Sequence, residues 1–563
     1  MTLTAQETAS AVIPDADAVR LSVRGLDVGF TGRDGRTRSI VRDVSFDLRA
    51  GRCVAIVGES GSGKSVTART LVGLTGEGAV VDAAELTLGD VDLASATRAE
   101  WRGIRGRRIG FIQQDALVSL DPLRRVGSEI AEALRLHRRG RRAHRRRRVL
   151  DLLTSVEVPL PERRARQRPG ELSGGLRQRA LIASAIALDP EVVIADEPTT
   201  ALDVTVQAQV LALLEDMKAH GSAILLISHD LSVVAHLADE ILVMRAGDVL
   251  EHGTTSEVLR APRHPYTRAL ISAVPGAHTR GRRLAPQQEP APDPHRVRPD
   301  TAGDGPVVQA RGLVKRFRGG LLAVDDVSFD VHRGETLGIV GESGSGKSTT
   351  ARLVLALEKA DAGEVRLLGH AWSTASERAR RSLRRRVGVV HQDPLSSFDP
   401  RWSTERILQD AIGADAGGRS ARDRRVRDLL AQVALPESVR TRHPLTLSGG
   451  QRQRIAIARA LATSPEIIVL DEAVSALDVS VQAQILDLLG DLQREYGLSY
   501  LFISHDLGVI HHMSDRVLVM KDGVVVEQGD ADRIFLHPAH PYTRELIGSL
   551  TTLENPDDNG GAS

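Results

Sequence analysis

The sequence Gly58-Glu-Ser-Gly-Ser-Gly-Lys-Ser65 follows a short apolar run, Cys53–Val57, and the same eight residues recur at Gly341–Ser348. A Gly-x4-Gly-Lys-Ser loop between a strand and a helix is a phosphate-binding loop. Its glycines let the backbone N–H groups turn inward toward phosphate oxygens, and the following helix adds the positive end of its dipole. The sequence therefore predicts an α/β fold with two such loops.

The lysines of these loops are their chemically active residues. Lys64 and Lys347 would reach the β- and γ-phosphates of a nucleotide, and the Ser65 and Ser348 hydroxyls would bind Mg²⁺. A compact ammonium fits such a loop better than a guanidinium, and two of the six lysines in this arginine-rich chain stand here. The candidate ATP-binding residues are Gly58, Glu59, Ser60, Gly61, Ser62, Gly63, Lys64, Ser65, Gly341, Glu342, Ser343, Gly344, Ser345, Gly346, Lys347 and Ser348.

Other short apolar runs end in acidic or polar residues, as buried parallel strands do at the edge where α/β folds bind ligands. Two runs end in Asp-Glu and two in Ser-His-Asp. We expect Asp196 and Asp471 to bind Mg²⁺, and Glu197 and Glu472 to polarise water. His229 and His505 are the candidate sensors of the γ-phosphate. Gln114 and Gln392 are the candidate amides that touch Mg²⁺ or water.

All these motifs recur in the same order at offsets of 275 to 283 residues, so the chain is a tandem duplication. A stretch with seven prolines, Pro275–Pro306, separates the copies and is expected to be an extended linker. The predicted divisions are an N-terminal tail at 1–19, copy one at 20–275, the linker at 276–306, copy two at 307–550 and a disordered tail at 551–563.

The composition excludes several classes of protein. A net charge of +1 and 3% aromatic residues argue against a nucleic-acid coat. The single cysteine, Cys53, excludes a disulfide framework and a cysteine-based metal cluster within the chain. The N-terminus has neither the basic residues nor the apolar core of a signal peptide, and the longest apolar run, Ala180–Leu188, is too short to span a membrane. We expect a cytoplasmic or peripheral protein.

The sequence Leu-Ser-Gly-Gly, at Leu172–Gly175 and Leu447–Gly450, opens a predicted helix, and its serine precedes the glutamate of each Asp-Glu pair by 24 residues. Together with the phosphate-binding loops, these motifs resemble the ATP-binding cassette (ABC) transporter ATPases over nearly the whole chain. The resemblance implies two tandem P-loop (RecA-like) ABC cassettes. Each would have an antiparallel β subdomain and an α-helical signature subdomain.

The resemblance also implies that the cassettes pair head to tail, with ATP between the phosphate-binding loop of one and the Leu-Ser-Gly-Gly of the other. Lys64 would then share a site with Ser448, and Lys347 with Ser173. Leu176 stands where the family has glutamine. We expect little loss of ATP binding, because the serine and the glycines carry the donors. The implied ligands are Ser173, Gly174, Gly175, Ser448, Gly449, Gly450 and Gln451, with Phe30 and Phe317 stacking on adenine.

The His-Pro-Tyr-Thr sequences at His264 and His540 resemble the C-terminal motif of the oligopeptide/dipeptide/nickel importer ATPases. This implies an ATPase, with ATP and Mg²⁺, that powers import of peptides or similar small solutes. Its implied partners are two integral-membrane permease subunits and, indirectly, an extracytoplasmic solute-binding protein. It would lie at the cytoplasmic face of the membrane, with no nucleic-acid partner and no iron–sulfur cluster.

Two alternatives stay open: an exporter ATPase for drugs or antibiotics, and a soluble tandem ABC protein acting on ribosomes or DNA. The second class typically has a long charged linker, a cysteine cluster or zinc-binding insertions, which this chain lacks.

The segment Arg135–Arg148 contains nine arginines. We interpret it as a solvated helix face above a buried stripe at Val149, Leu152 and Leu153, with an anion-binding patch as the alternative. In the second copy, the spacing of Ser420 and Asp423 predicts a capping box.

Overall fold

The structure is a computed structural model that describes residues 18–32, 34–113, 119–199, 202, 204–276, 279–285, 305–317, 319–413, 418–475 and 477–548. The chain divides into two compact units, one made mainly of residues up to Arg268 and the other mainly of Ala269–Leu550. The predicted tails and most of the predicted linker lie outside the described residues.

The first unit contains strands and helices in alternation. Its strands are β1 Val19–Thr31, β2 Thr37–Arg49, β3 Cys53–Val57, β4 Ala79–Asp82, β5 Glu85–Leu88, β6 Val91–Asp92, β7 Ile109–Ile112, β8 Val192–Asp196, β9 Ala223–Ile227, β10 Glu240–Arg245 and β11 Asp248–Thr254. Its helices are α1 Lys64–Leu71, α2 Arg98–Ile104, α3 Val126–Leu136, α4 Arg142–Ser155, α5 Pro161–Arg164, α6 Gly174–Ala185, α7 Val204–Ala219, α8 Leu231–Leu237, α9 Thr255–Arg260 and α10 Pro265–Ser272, with a 3-10 turn at Pro169–Glu171.

A mostly parallel sheet forms the centre of the first unit. Its described strands follow the order β11-β10-β3-β9-β8-β7, with β11 antiparallel to β10 and the other neighbours parallel. All five residues of β3, β8 and β9 are buried, as expected for parallel strands covered on both faces. The carboxyl ends of these strands carry the phosphate-binding loop, the Asp-Glu pair and the Ser-His-Asp sequence at one edge, as the sequence predicted.

A second, antiparallel sheet packs on this core. Its described strands follow the order β2-β1-β5-β6, with β4 paired to β1. Apolar residues of both sheets and of α1 form one continuous buried cluster. The α/β fold class and the antiparallel β subdomain are therefore confirmed.

Helices α3, α4 and α6 contact one another and form the α-helical subdomain. Helix α4 buries Val149, Leu152 and Leu153, as predicted, while most of the arginines at 135–148 are exposed. The exposure agrees with a solvated helix face, and the choice between this interpretation and a binding patch stays a prediction.

The second unit repeats the plan. Its strands are β12 Val308–Arg316, β13 Leu322–Val331, β14 Thr336–Val340, β15 Ala362–Leu367, β16 His370–Ala371, β17 Val387–Val390, β18 Ile467–Asp471, β19 Ser499–Ile503, β20 Arg516–Lys521 and β21 Val524–Asp530. Its helices are α11 Lys347–Val354, α12 Glu377–Arg384, α13 Thr404–Ile412, α14 Arg419–Gln432, α15 Gly449–Leu461, α16 Val479–Tyr496, α17 Leu507–Met513, α18 Ala531–Leu536 and α19 Pro541–Gly548, with 3-10 turns at Leu395–Ser397, Glu437–Val439 and Pro444–Thr446.

The sheets of the second unit match those of the first. Its described central strands follow the order β17-β18-β19-β14-β20-β21, and its antiparallel strands follow β13-β12-β15-β16. The predicted capping box is wrong, because α14 begins at Arg419 with Gly418 as its N-cap, so Ser420 lies inside the first turn. Asp423 instead pairs with Arg427 at 2.8 Å.

Residues 279–285, at the start of the Pro-rich stretch, pack against the second unit. The two carboxylate oxygens of Asp487, on α16, accept hydrogen bonds from the backbone N–H groups of Leu284 at 3.0 Å and Ala285 at 2.9 Å. Arg283 adds an ion pair to Asp491 at 2.8 Å, and the Leu284 side chain is buried. Across the described residues, no helix is long and apolar enough to cross a membrane.

Candidate functional site

The first phosphate-binding loop joins β3 to α1 and holds its own lysine. The Lys64 ammonium nitrogen, Nζ, donates hydrogen bonds to the carbonyl oxygens of Gly58 at 2.7 Å and Glu59 at 2.8 Å, and the residue is 6% exposed. Glycine is required at position 58, because its φ is 147° and a Cβ there would lie 2.0 Å from the carbonyl oxygen of Met244. The loop therefore keeps a buried cation against its own backbone carbonyl groups.

The second loop, between β14 and α11, has the same arrangement. Lys347 Nζ donates to the carbonyl oxygens of Gly341 and Glu342, both at 2.7 Å. A Cβ at Gly341 would lie 2.1 Å from the Met520 carbonyl oxygen. The lysine contacts of the two loops agree within 0.1 Å, so both are built to the same geometry.

Each loop serine contacts the aspartate at the end of β8 or β18, which lies two strands away from β3 or β14 in the central sheet. Ser65 Oγ donates to Asp196 Oδ1 at 3.0 Å, and Ser348 Oγ donates to Asp471 Oδ1 at 3.1 Å. Burial raises the pKa of both carboxyl groups against the opposing effect of the serine hydrogen bond, and the adjacent glutamate charge raises it further. Each pair thus places two oxygen ligands together in a buried position.

The glutamates that follow have an uncommon backbone conformation. Glu197 has a φ of 51° and Glu472 a φ of 50°, in the left-handed region that non-glycine residues seldom adopt. Their backbone N–H groups donate to the carbonyl oxygens of Ile227 and Ile503, at the ends of β9 and β19, both at 2.9 Å. The hydrogen bond to the sheet thus holds each glutamate in this turn, with its side chain at the edge of the sheet. A strained backbone conformation of this kind is typical of functional sites.

A histidine faces each glutamate. His229 Nδ1 lies 3.1 Å from Glu197 Oε1, and His505 Nδ1 lies 3.6 Å from Glu472 Oε2. Burial lowers the pKa of each imidazole, but the hydrogen bond and charge of the glutamate outweigh it, so both pKa values are raised. The His505 hydrogen bond in turn lowers the pKa of Glu472. The raised pKa favours the charged form of each histidine beside its glutamate.

A glutamine joins the second site. Gln392 Nε2 donates to Glu472 Oε2 at 2.6 Å, so this carboxylate is held by two neighbours. The corresponding Gln114 lies outside the described residues.

The serines that begin the Leu-Ser-Gly-Gly helices differ between the copies. Ser448 Oγ accepts from the Gln451 N–H at 3.3 Å, and the Gln451 side-chain oxygen accepts from the Ser448 N–H at 3.2 Å, a capping box for α15. Ser173 is the N-cap of α6, but its hydroxyl makes no capping hydrogen bond within the described helix. Leu176 has no polar side chain to accept from the Ser173 N–H, so the reciprocal hydrogen bond of a capping box cannot form in the first copy.

Comparison with known families identifies the class of this site. A family model described as "ABC transporter" matches residues 41–200 and 324–475. The chain belongs to the ABC transporter ATP-binding proteins. A second model, "Oligopeptide/dipeptide transporter, C-terminal region", matches residues 250–300 and 526–562. The expected ABC ATPase of the importer class, with two tandem cassettes, is thereby confirmed over the exporter and ribosome alternatives.

Curated relatives are similar over nearly the whole ABC chain. A glutathione import ATP-binding protein, GsiA, of Salmonella choleraesuis (strain SC-B67) is 44% identical over 560 residues, which covers 95% of this chain and 90% of that protein. The protein of the same name in Escherichia coli (strain K12) is 43% identical over 566 residues, with the same coverage. A solved structure of the ATP-binding cassette MJ0796 bound to ADP and Pi matches 40% of this chain and 98% of that chain, at 30% identity and a TM-score of 0.37.

The two aromatic residues expected at the adenine of an ABC site lie in different surroundings. Phe30, near the end of β1, is half-buried and packs against the core of the first unit. Phe317 follows β12, and its ring centroid lies 5.4 Å from Lys315 Nζ.

One contact of the site was missed from the sequence. The Glu59 backbone N–H donates to the Tyr266 hydroxyl at 3.3 Å, and the Glu342 N–H donates to the Tyr542 hydroxyl at 3.2 Å. Sequence reasoning used the His-Pro-Tyr motif only to choose among ABC proteins. The sequence did contain an indication of this contact. Two of the four tyrosines of the chain lie in the repeated His-Pro-Tyr motif, just as two of its six lysines lie in the repeated phosphate-binding loops.

Proposed function

We propose that this ABC ATPase powers the import of glutathione or another short peptide. The observation that carries the proposal is the 44% identity, over 95% of the chain, to a glutathione import ATP-binding protein. The two complete sets of lysine, serine, aspartate, glutamate and histidine support two working ATP sites. The solute itself is selected by the binding protein and the membrane subunits, so a short peptide is the class that this chain supports.

The roles of the site residues follow from their geometry. The loop lysines exchange the carbonyl oxygens of their own loops for phosphate oxygens when ATP binds, because a phosphate carries more negative charge than a carbonyl. Glu197 and Glu472 polarise the attacking water, and His229 and His505 sense the γ-phosphate. The residues of the two Leu-Ser-Gly-Gly segments also contact ATP: Ser173, Gly174, Gly175, Ser448, Gly449, Gly450 and Gln451.

The Ser–Asp pairs fit Mg²⁺. No cluster of three or more His, Cys, Asp or Glu side chains able to hold a metal occurs among the described residues. Mg²⁺ is usually bound by one or two protein oxygens, with waters and substrate phosphates completing its shell. Ser65 with Asp196, and Ser348 with Asp471, offer such oxygens, joined by Gln114 and Gln392. When bound, the ion neutralises charge on the phosphates.

The proposed setting is the cytoplasmic face of the cell membrane, as a peripheral subunit on two integral-membrane permease subunits. An extracytoplasmic solute-binding protein acts on it indirectly. The proposed cassettes are residues 20–275 and 307–550, joined by the linker at 276–306.

The test is solute-stimulated ATP hydrolysis. The chain is purified with its membrane subunits, placed in proteoliposomes and supplied with its binding protein and either glutathione, a dipeptide or a longer peptide. Glutathione should raise phosphate release several-fold over the unloaded binding protein. The double variant Lys64→Ala, Lys347→Ala should abolish the release, and Lys359→Ala, at an exposed lysine outside the loops, should leave it unchanged. Stimulation by none of these solutes would refute the proposal.

A further inference from the structure

The tyrosine contact falls on the same peptide group that the loop lysine holds. The carbonyl of Gly58 and the N–H of Glu59 belong to one planar peptide. Lys64 Nζ donates to that carbonyl at 2.7 Å, and the Tyr266 hydroxyl accepts from that N–H at 3.3 Å. This peptide is therefore held from both of its polar ends.

The second unit repeats the arrangement. The carbonyl of Gly341 accepts from Lys347 Nζ at 2.7 Å, and the N–H of Glu342 donates to the Tyr542 hydroxyl at 3.2 Å. The two tyrosine contacts differ by 0.1 Å, and the loop and the His-Pro-Tyr-Thr motif that make them are the same in both copies. The contact therefore accompanies the repeated pair of motifs.

Both tyrosines are themselves fixed. Tyr266 is 8% exposed and Tyr542 4% exposed. A cation lies over each ring, the Arg245 guanidinium at 4.9 Å from the Tyr266 centroid and Lys521 Nζ at 4.3 Å from the Tyr542 centroid. The rings are thus held in place at the ends of β10 and β20.

The histidine of each His-Pro-Tyr motif ties the tyrosine to the sheet. In the second unit the Tyr542 N–H donates to His540 Nδ1 at 3.2 Å, and the His540 N–H donates to the Glu527 carboxylate at 3.0 Å. In the first unit the same two contacts, through His264 and Glu251, measure 3.1 and 3.0 Å. A continuous set of hydrogen bonds therefore runs from β11 or β21 through the motif to the phosphate-binding loop.

We propose that Tyr266 and Tyr542 are positioning residues that hold the Gly–Glu peptide of the phosphate-binding loop in its ATP-binding conformation. The inference rests on the proposed function, in which each loop lysine exchanges its carbonyl contacts for phosphate oxygens when ATP binds. When the ammonium turns to phosphate, it leaves the peptide carbonyl, and the tyrosine hydroxyl then restrains this peptide at its N–H. Without the hydroxyl, the loop samples other conformations and ATP affinity falls. The His-Pro-Tyr segment thereby contributes to nucleotide binding in its own cassette.

The test uses Tyr266→Phe, Tyr542→Phe and the double variant, which remove the hydroxyl and keep the ring under its cation. Because the hydrogen bond from the loop N–H to the tyrosine hydroxyl is lost, each site should bind ATP about three- to tenfold more weakly. The kcat of the complex at saturating ATP should change by less than about twofold, since the hydroxyl does not touch the reacting atoms. Amide hydrogen exchange at Glu59 and Glu342 in the nucleotide-free chain should accelerate by a similar factor.

The remaining tyrosines supply matched controls. Tyr496→Phe removes an exposed hydroxyl that accepts from Gln432, and Tyr500→Phe removes a buried hydroxyl that donates to the Leu489 carbonyl at 2.9 Å. Neither should change ATP affinity, even if Tyr500→Phe lowers the melting temperature. The proposal is overturned if the double variant binds ATP as the wild type does, or if its affinity falls only in proportion to lost stability, as in Tyr500→Phe. If the wild-type chain binds no ATP, the proposed function fails instead.

Discussion

Replacement of the two glutamates that follow the buried aspartates tests the catalytic assignment most directly. Glutamine has the same shape, so Glu472→Gln keeps one oxygen to accept from Gln392, which donates at 2.6 Å, and the turn with positive φ is retained. The negative charge that polarises water is lost. General-base catalysis contributes about 10²- to 10⁴-fold, and loss of a factor in this range at a site raises its barrier by about 3–5.5 kcal/mol.

The expected rate of phosphate release differs between the single variants and the double variant. The double variant Glu197→Gln, Glu472→Gln should release phosphate at about 1% of the wild-type rate or less. Each single variant should fall to about half if the sites turn over independently, and far lower if they alternate. Phosphate release is measured on the chain bound to its membrane subunits, with ATP binding measured in parallel to show that the sites are intact. Glu162→Gln, at an exposed position, is the control.

Two results would refute the reasoning. A double variant that keeps more than about a tenth of the wild-type rate would show that neither glutamate is the main base. A single variant with wild-type turnover would show that its site does not contribute, and the proposal of two working sites would be wrong.

Three further outcomes are expected. Gly341→Ala should abolish ATP binding at its site, measured by titration with labelled ATP, because its Cβ would lie 2.1 Å from the Met520 carbonyl oxygen; wild-type affinity would contradict this. Asp487→Asn should speed hydrogen exchange of the Leu284 and Ala285 backbone amides by about tenfold or more, since a hydrogen bond to a charged group contributes about 1.5–3 kcal/mol. Unchanged exchange would show that the carboxylate does not hold residues 279–285. The raised pKa of His505, next to Glu472, stabilises the nucleotide-free fold fully below about pH 6.5 and less as pH rises through the folded-state pKa, so the loss of melting temperature in His505→Gln should shrink as pH rises above about 6.5; a loss that grows with pH would reverse the assignment.

The fold and the edge of the sheet could be predicted because their signals are local. Apolar runs such as residues 467–470 are buried and end in the polar residues of the candidate site, so strand position and site position come from one pattern. The contact His505–Glu472 then follows, since the neighbouring strands β18 and β19 bring their ends together, and Ser348 contacts Asp471 from two strands away at the same edge.

What could not be predicted depends on distant or competing contacts. The Tyr542 hydroxyl meets a loop 200 residues earlier in the chain, and no periodicity encodes that pairing. The capping box at Ser420 failed because Gly418, also compatible with an extended N-cap, begins the helix two residues earlier. Phe30 and Phe317 occupy matching places in the repeat, yet only the ring of Phe317 has a lysine over it, because position 315 differs from its counterpart in the first copy.

The missing capping box at Ser173 has a genetic consequence. In an assembly of two identical chains, one codon change alters both copies of a helix start at once. Here the two copies are encoded separately within one gene, so Leu176 could arise while Gln451 was kept. The duplicated halves can therefore drift apart one codon at a time, and the start of α6 is a place where that divergence is already visible.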